Sequence, residues 1–141
     1  MTRAWQSAAI IAIALLGAQA AHSETATFSC DVRRVVDGDT IRCSGMMASV
    51  RIWGIDAPDW HCGARRYCRE DQPAAHAARE HLKEMIYKRM LSCVTVGVDR
   101  YKRIVARCTL NGVDIACAMV RAGHAKDMPR YSKGYYARCS P

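Results

Sequence analysis

Eight cysteines in a chain of 141 residues limit what this protein can fold into more than any other feature. They stand at Cys30, Cys43, Cys62, Cys68, Cys93, Cys108, Cys117 and Cys139, all beyond an N-terminal stretch of different character. In that stretch Arg3 supplies a positive charge, Ala8 to Leu16 form an unbroken apolar run, and small residues follow at Ala18 and Ala20. The run is too short to span a bilayer stably and has the layout of a secretory signal peptide, so residues 1–23 are expected to be removed, by cleavage after Ala20 or Ser23. An even number of cysteines in a short chain sent to an oxidising compartment implies a disulfide framework. The expected location is therefore exported, periplasmic or extracellular, with no stable membrane insertion after cleavage. His61, Cys62, Cys68 and His76 cluster along the chain, but their spacing matches no zinc template.

Residues 24–141 read as a single domain, because no linker or fixed repeat divides them. Thr25 to Val36 is β-branched and extended, Asp37-Gly38-Asp39 suits a tight turn, and Thr40 to Cys43 forms the return strand. After the turn at Ser44-Gly45, Ala48 to Ile55 alternates like a third strand. Asp56 to Glu70 has the composition of a long surface loop, which Cys62 and Cys68 would staple. Past Asp71 and Pro73, apolar residues at Ala75, Ala78, Leu82, Met85 and Ile86 predict an amphipathic helix, with Glu84 four residues before Lys88 on its exposed side. Two further strands, Cys93 to Val98 and Arg103 to Leu110, flank the polar turn from Asp99 to Lys102.

A hairpin closed by that turn sets Val98 opposite Arg103, and the same pairing sum sets Cys93 opposite Cys108. That pair is the most strongly specified disulfide. Cys62 with Cys68 comes next, and Cys30 with Cys43 and Cys117 with Cys139 follow by elimination and proximity, although connectivity is not determined by sequence. Asn111-Gly112 then leads into a second helix with Val113, Ala116, Cys117 and Val120 on one face and Gly123 as its C-cap. The order βββαββα implies a mainly β fold with helices (α+β), a five-stranded Greek-key barrel of OB type. Met128 to Pro141 is aromatic and basic, without clear periodicity.

The formal charge is +8, falling to +7 without residues 1–20, which contain Arg3 alone among charged residues. Such an excess favours a polyanionic partner but needs a site to give it meaning. Two acidic motifs bracket the first three strands, Val36-Asp37-Gly38-Asp39-Thr40 and Gly54-Ile55-Asp56-Ala57-Pro58-Asp59. Asp37 alone is readily explained as a turn former. Asp39, Asp56 and Asp59 together are not: converging carboxylates repel unless a cation lies between them, and hard oxygen ligands suit Ca²⁺. Arg51, in mid-strand, would be costly to bury unpartnered, and with Arg103 it offers two guanidinium groups fit to clamp a phosphodiester.

These motifs, with Asp99-Arg100-Tyr101-Lys102-Arg103 and Val120-Arg121-Ala122-Gly123-His124-Ala125, resemble the thermonuclease (staphylococcal nuclease-like) family over roughly Thr27 to Tyr136. The resemblance implies a Ca²⁺-dependent nuclease acting on DNA, RNA or both as a monomer. It makes Asp39, Asp56 and the Ala57 carbonyl metal ligands, Arg51 and Arg103 the catalytic phosphate-binding pair, and Asp59 the general base. Tyr101, Arg100 and Tyr131 would line the nucleotide site. Departures from the family pattern are Asp59 in place of the usual Glu, Lys102 in place of Gly in a turn that favours positive φ, and a third helix that is short or absent before Pro141. A rival reading keeps the barrel and basic surface but not the turnover: a weak or inactive nucleic-acid-binding module.

Overall fold

The computed structural model describes residues 25–59 and 72–140. The leader expected at residues 1–23 and the pairing expected of Cys62 with Cys68 lie outside the described residues. Five strands close a barrel: β1 (Thr27–Asp37), β2 (Thr40–Cys43), β3 (Val50–Ile52), β5 (Met90–Val98) and β6 (Ile104–Leu110). They run in the order β3-β2-β1-β5-β6, and β3 pairs in parallel with β6 to shut the cylinder. Between β3 and β5 lie the short β4 (Ile55–Asp56) and α1 (Gln72–Ile86). After β6 come β7 (Val113–Asp114), α2 (Ile115–Arg121), β8 (Lys126–Asp127), the single turn α3 (Pro129–Ser132) and a 3-10 turn at Ala137–Cys139. This is the expected OB-type architecture, with helices packed on the barrel.

β1 serves two partners because it bends: Thr27 to Asp31 pair with β5, whereas Val32 to Asp37 pair with β2 across an irregular register between Val32 and Arg34. The irregularity leaves Arg33 and Arg34 both outside while Cys30, Val32 and Val35 stay inside. The α1 stripe forms as its spacing predicts: Ala75, Ala78, Leu82 and Ile86 are buried, the last three in the barrel's core cluster. No helix among the described residues is long and apolar enough to cross a membrane. Disulfides join Cys30 to Cys43, Cys93 to Cys108 and Cys117 to Cys139.

Four local expectations need correction. Val98 faces Ile104, not Arg103, and the irregularity between Thr95 and Gly97 absorbs the extra residue so that Cys93 still meets Cys108. The third strand does not run unbroken from Ala48 to Ile55: Gly54, at φ 77°, turns the chain between β3 and β4, where a Cβ would lie 2.9 Å from the ring of Tyr136. Glu84 and Lys88 do not share a helix face, because α1 ends at Ile86 and Lys88 takes φ 57°. In α2 the buried face is Ile115, Ala116, Met119 and Val120, while Val113 lies ahead of the helix and is exposed. The Asp114 side chain caps that helix by accepting from the Cys117 amide, so it begins two residues later than the apolar pattern alone implies. Gly123 lies one residue past the cap residue Ala122, and the amides of Gly123 and His124 close onto the carbonyls of Val120 and Met119.

Candidate active site

The β1–β2 turn is pressed into place by the absence of a side chain. A Cβ on Gly38 would lie 2.6 Å from the Ala57 methyl and 2.8 Å from that of Ala78 in α1, closer than packed carbons approach. The backbone of Asp37-Gly38-Asp39 therefore sits directly against both the β4 exit and the helix. Asp39 is 1% exposed. Its Oδ2 accepts from the Ala57 amide at 2.9 Å, and its Oδ1 accepts from the Thr40 hydroxyl at 3.0 Å and forms an ion pair with Arg51. A carboxylate has about four lone-pair positions, so one on Oδ2 remains open.

Arg51 occupies the centre. Val50 and Ile52 on either side of it fill the barrel interior, and the strand's alternation turns Arg51 outward. Beyond Asp39 it donates to the Ile55 carbonyl at 3.1 Å and to Asp56 Oδ1 at 3.0 Å. Two carboxylates thus converge on one guanidinium, one of them buried and the other, Asp56, largely exposed. Asp59 is exposed at the end of this run. Partial desolvation pushes its carboxyl above the usual range, and the like charges of Asp37 and Asp56 push it further. Asp37 is raised as well, chiefly by burial, against the pull of Thr40, Arg51 and Arg103. Asp37 therefore belongs to the acidic cup, although its sequence setting marks it only as a turn former.

Arg103 reaches the cup from the start of β6, the strand that pairs with β3. Its Nη1 donates to the Thr40 hydroxyl at 3.4 Å, so Thr40 links Asp39 on one side with Arg103 on the other. Asp99 aims this arginine: its Oδ2 accepts from Arg103 Nε at 2.6 Å, while Oδ1 accepts from the amides of Tyr101 and Arg103. Burial works against the Asp99 charge, but these bonds prevail and hold its carboxyl below the ordinary value. Thr40 and Asp99 are site residues whose roles the sequence left unmarked; an Asp opening a polar turn was the available sign for the second. Lys102 keeps the left-handed turn at φ 62° despite its Cβ.

A groove of about 620 Å³ adjoins the cup, and Arg51 and Ile55 form their shared border. Arg100, Tyr101, Arg103, Arg130 and Tyr131 are among the residues that line it. Arg100 donates to the Tyr101 hydroxyl at 2.7 Å, and both Arg100 and Arg103 lie over the Tyr101 ring, at 4.8 and 5.2 Å. Tyr101 and Tyr131 are more than half exposed, and Arg130 lies 5.8 Å from the Tyr131 ring. Their neighbours are cations, so the groove suits an anionic chain bearing flat groups.

The residues expected to hold a cation, Asp39, Asp56 and the Ala57 carbonyl, offer only oxygen donors. They fit a hard divalent cation that completes its coordination with water or phosphate oxygen. Among the described residues no three His, Cys, Asp or Glu side chains lie close enough to enclose a metal without such help.

The family model described as staphylococcal nuclease homologue matches residues 49–139. An uncharacterized endonuclease of Haemophilus influenzae is 27% identical over 107 residues, 74% of this chain and 54% of that protein. A probable endonuclease of Schizosaccharomyces pombe is 32% identical over 84 residues, 55% of this chain and 35% of the other. A further probable endonuclease, from Phaeosphaeria nodorum, is 33% identical over 96 residues, 64% and 31% respectively. The chain spans between about a third and about half of the length of these curated relatives.

Proposed function

The chain belongs to the staphylococcal nuclease homologue family, and we propose that it is an exported nuclease that hydrolyses phosphodiester bonds of DNA or RNA with the help of bound Ca²⁺. The observation that carries this reading is the convergence, through Asp39 and Thr40, of the guanidinium groups of Arg51 and Arg103 beside an oxygen-rich cup. Guanidinium pairs bind phosphate oxygens and neutralise the charge that develops on them as the phosphorus is attacked. Asp59 accepts a proton from the attacking water, and its raised carboxyl makes it a stronger base than an isolated aspartate. Asp39, Asp56 and the Ala57 carbonyl would hold the cation, which when bound supplies Lewis acidity and charge neutralisation. Arg100, Tyr101 and Tyr131 bind the flanking nucleotide by charge and stacking. Three disulfides support residence in an oxidising compartment.

The test is cleavage of single-stranded DNA by purified protein with Ca²⁺, with chelator, and with Asp39→Ala in place of wild type. Cleavage that chelator abolishes and Asp39→Ala reduces at least 10²-fold is expected. Salt-dependent binding without any product would instead identify a binding module.

A further inference from the structure

The basic and aromatic surface does not end at the groove. Along β6 the interior positions are Ala106 and Cys108, so Arg103, Val105 and Arg107 share the outer face. Four residues of strand carry the chain about 13 Å from Arg103 to Arg107. Val105 and Trp53 both line the groove, and Arg107 lies 5.2 Å from the Trp53 ring and 4.3 Å from that of Tyr135. Arg138, which is exposed, lies 4.0 Å from the same Tyr135 ring. Trp53 is thus common to the groove and to a second cluster beyond it.

The two clusters differ in how their charge is met. Arg51 and Arg103 each have a carboxylate partner, whereas among the described residues neither Arg107 nor Arg138 forms an ion pair. Ring faces hold these guanidiniums in place without cancelling their charge. The segment that carries Tyr135 and Arg138 is itself anchored, by the buried Tyr136 and by the disulfide from Cys139 to Cys117. Two fixed, unneutralised guanidiniums beside aromatic rings, in line with the phosphate-binding pair, have the composition of a single-strand binding track.

Resting on the nuclease reading above, we infer that Trp53, Arg107, Tyr135 and Arg138 form a second subsite, in which the two ring-held guanidiniums bind a phosphate of the single strand flanking the scissile bond. Such a subsite makes affinity depend on substrate length. It engages an oligonucleotide that runs along β6 more fully than a dinucleotide centred on Arg51 and Arg103.

The test compares Kd for a fluorescent single-stranded DNA octamer and for a dinucleotide, measured by anisotropy in chelator so that nothing is cleaved. Wild type should prefer the octamer, and Arg138→Gln should reduce that preference about tenfold while flattening the octamer's log–log salt slope by about 0.7. Arg138 is exposed, so Tm should hold; Arg107→Gln should act in the same direction, and its Tm reports any loss of packing. Arg138→Lys should restore part of the salt slope but less of the affinity, because it keeps the charge without the planar fork. An unchanged octamer-to-dinucleotide ratio in Arg138→Gln and in folded Arg107→Gln, with wild type binding and cleaving, would overturn the subsite and leave the nuclease reading standing. If wild type binds neither probe and cleaves nothing, the nuclease reading fails and the subsite with it.

Discussion

The acidic cup and the Asp99–Arg103 loop supply opposite charges to one site, yet they are built in different ways. In the cup, Asp39 is buried and bonded from three directions, and Gly38 lets its backbone touch Ala57 and Ala78. In the loop, Tyr101 is 64% exposed and a single side chain, Asp99, holds the turn and its arginine together. The cup takes its geometry from the barrel core, so it cannot move without disturbing the fold. The loop takes its geometry from local hydrogen bonds, so it can be altered on its own. A position that must hold charges close together needs the first kind of support; one that must meet a long flexible ligand is served by the second.

Gly38→Ala attacks the cup where it depends on the core, and the largest effect is expected there. The new methyl would collide with two carbons that belong to anchored elements, at a cost of about 1–3 kcal/mol, or roughly 5–10 °C in Tm. Moving Asp37 and Asp39 together should also lower kcat/KM on the order of 10²-fold. A thermal melt and a cleavage assay on the same sample check both; normal activity at a lowered Tm would show that the turn can shift without the site.

Asp99→Asn tests the loop. Asparagine keeps one oxygen for the two amides but loses the charged bond to Arg103 Nε, so kcat/KM should fall about tenfold with little change in Tm. The carboxyl of Asp99 is held below its ordinary value of 3.8, so the stability it adds is present above that pH and is lost as pH falls through the lower folded value. Any gap in Tm between wild type and Asp99→Asn should therefore be full at neutral pH and close below about pH 3.8. A gap that persists in acid would mean that the loop draws its stability from something other than this carboxylate.

Lys102→Gly is the smallest perturbation. Lys102 holds φ 62° with a Cβ, and glycine removes that strain while adding freedom to the unfolded chain. The net gain should be about 0.5–1 kcal/mol, seen as a Tm higher by a few degrees. A lower Tm would show that the lysine side chain itself supports the loop.

Much of the fold was legible because it rests on near neighbours. Alternation, helical spacing and turn residues marked the barrel strands, α1 and the β1–β2 turn, and they did so because side-chain direction repeats every two or every 3.6 residues. The pairing of Cys93 with Cys108 illustrates how narrow that margin is. Its hairpin register was offset by one residue at Val98, and only the irregularity between Thr95 and Gly97 brings the cysteines level. The local sign of that bulge is Gly97, an isolated glycine inside the strand.

By itself the sequence determined the composition of the site: which acids and arginines occur, in what order, and at which turns. The tertiary structure decided how they are wired. Thr40 meets Arg103 across 63 positions only because β3 closes in parallel onto β6, and Arg51 joins Asp39 to Asp56 only because the β1–β2 turn, β3 and β4 bring them to the same side of the closed barrel. Asp37 is a turn former in the chain and a desolvated acid in the fold, where burial raises its carboxyl against the pull of Arg51 and Arg103, both distant in sequence. Residue identity and local turn chemistry are properties of short segments. Burial, charge pairing and the alignment of Arg103 with Arg107 exist only once distant segments share one surface.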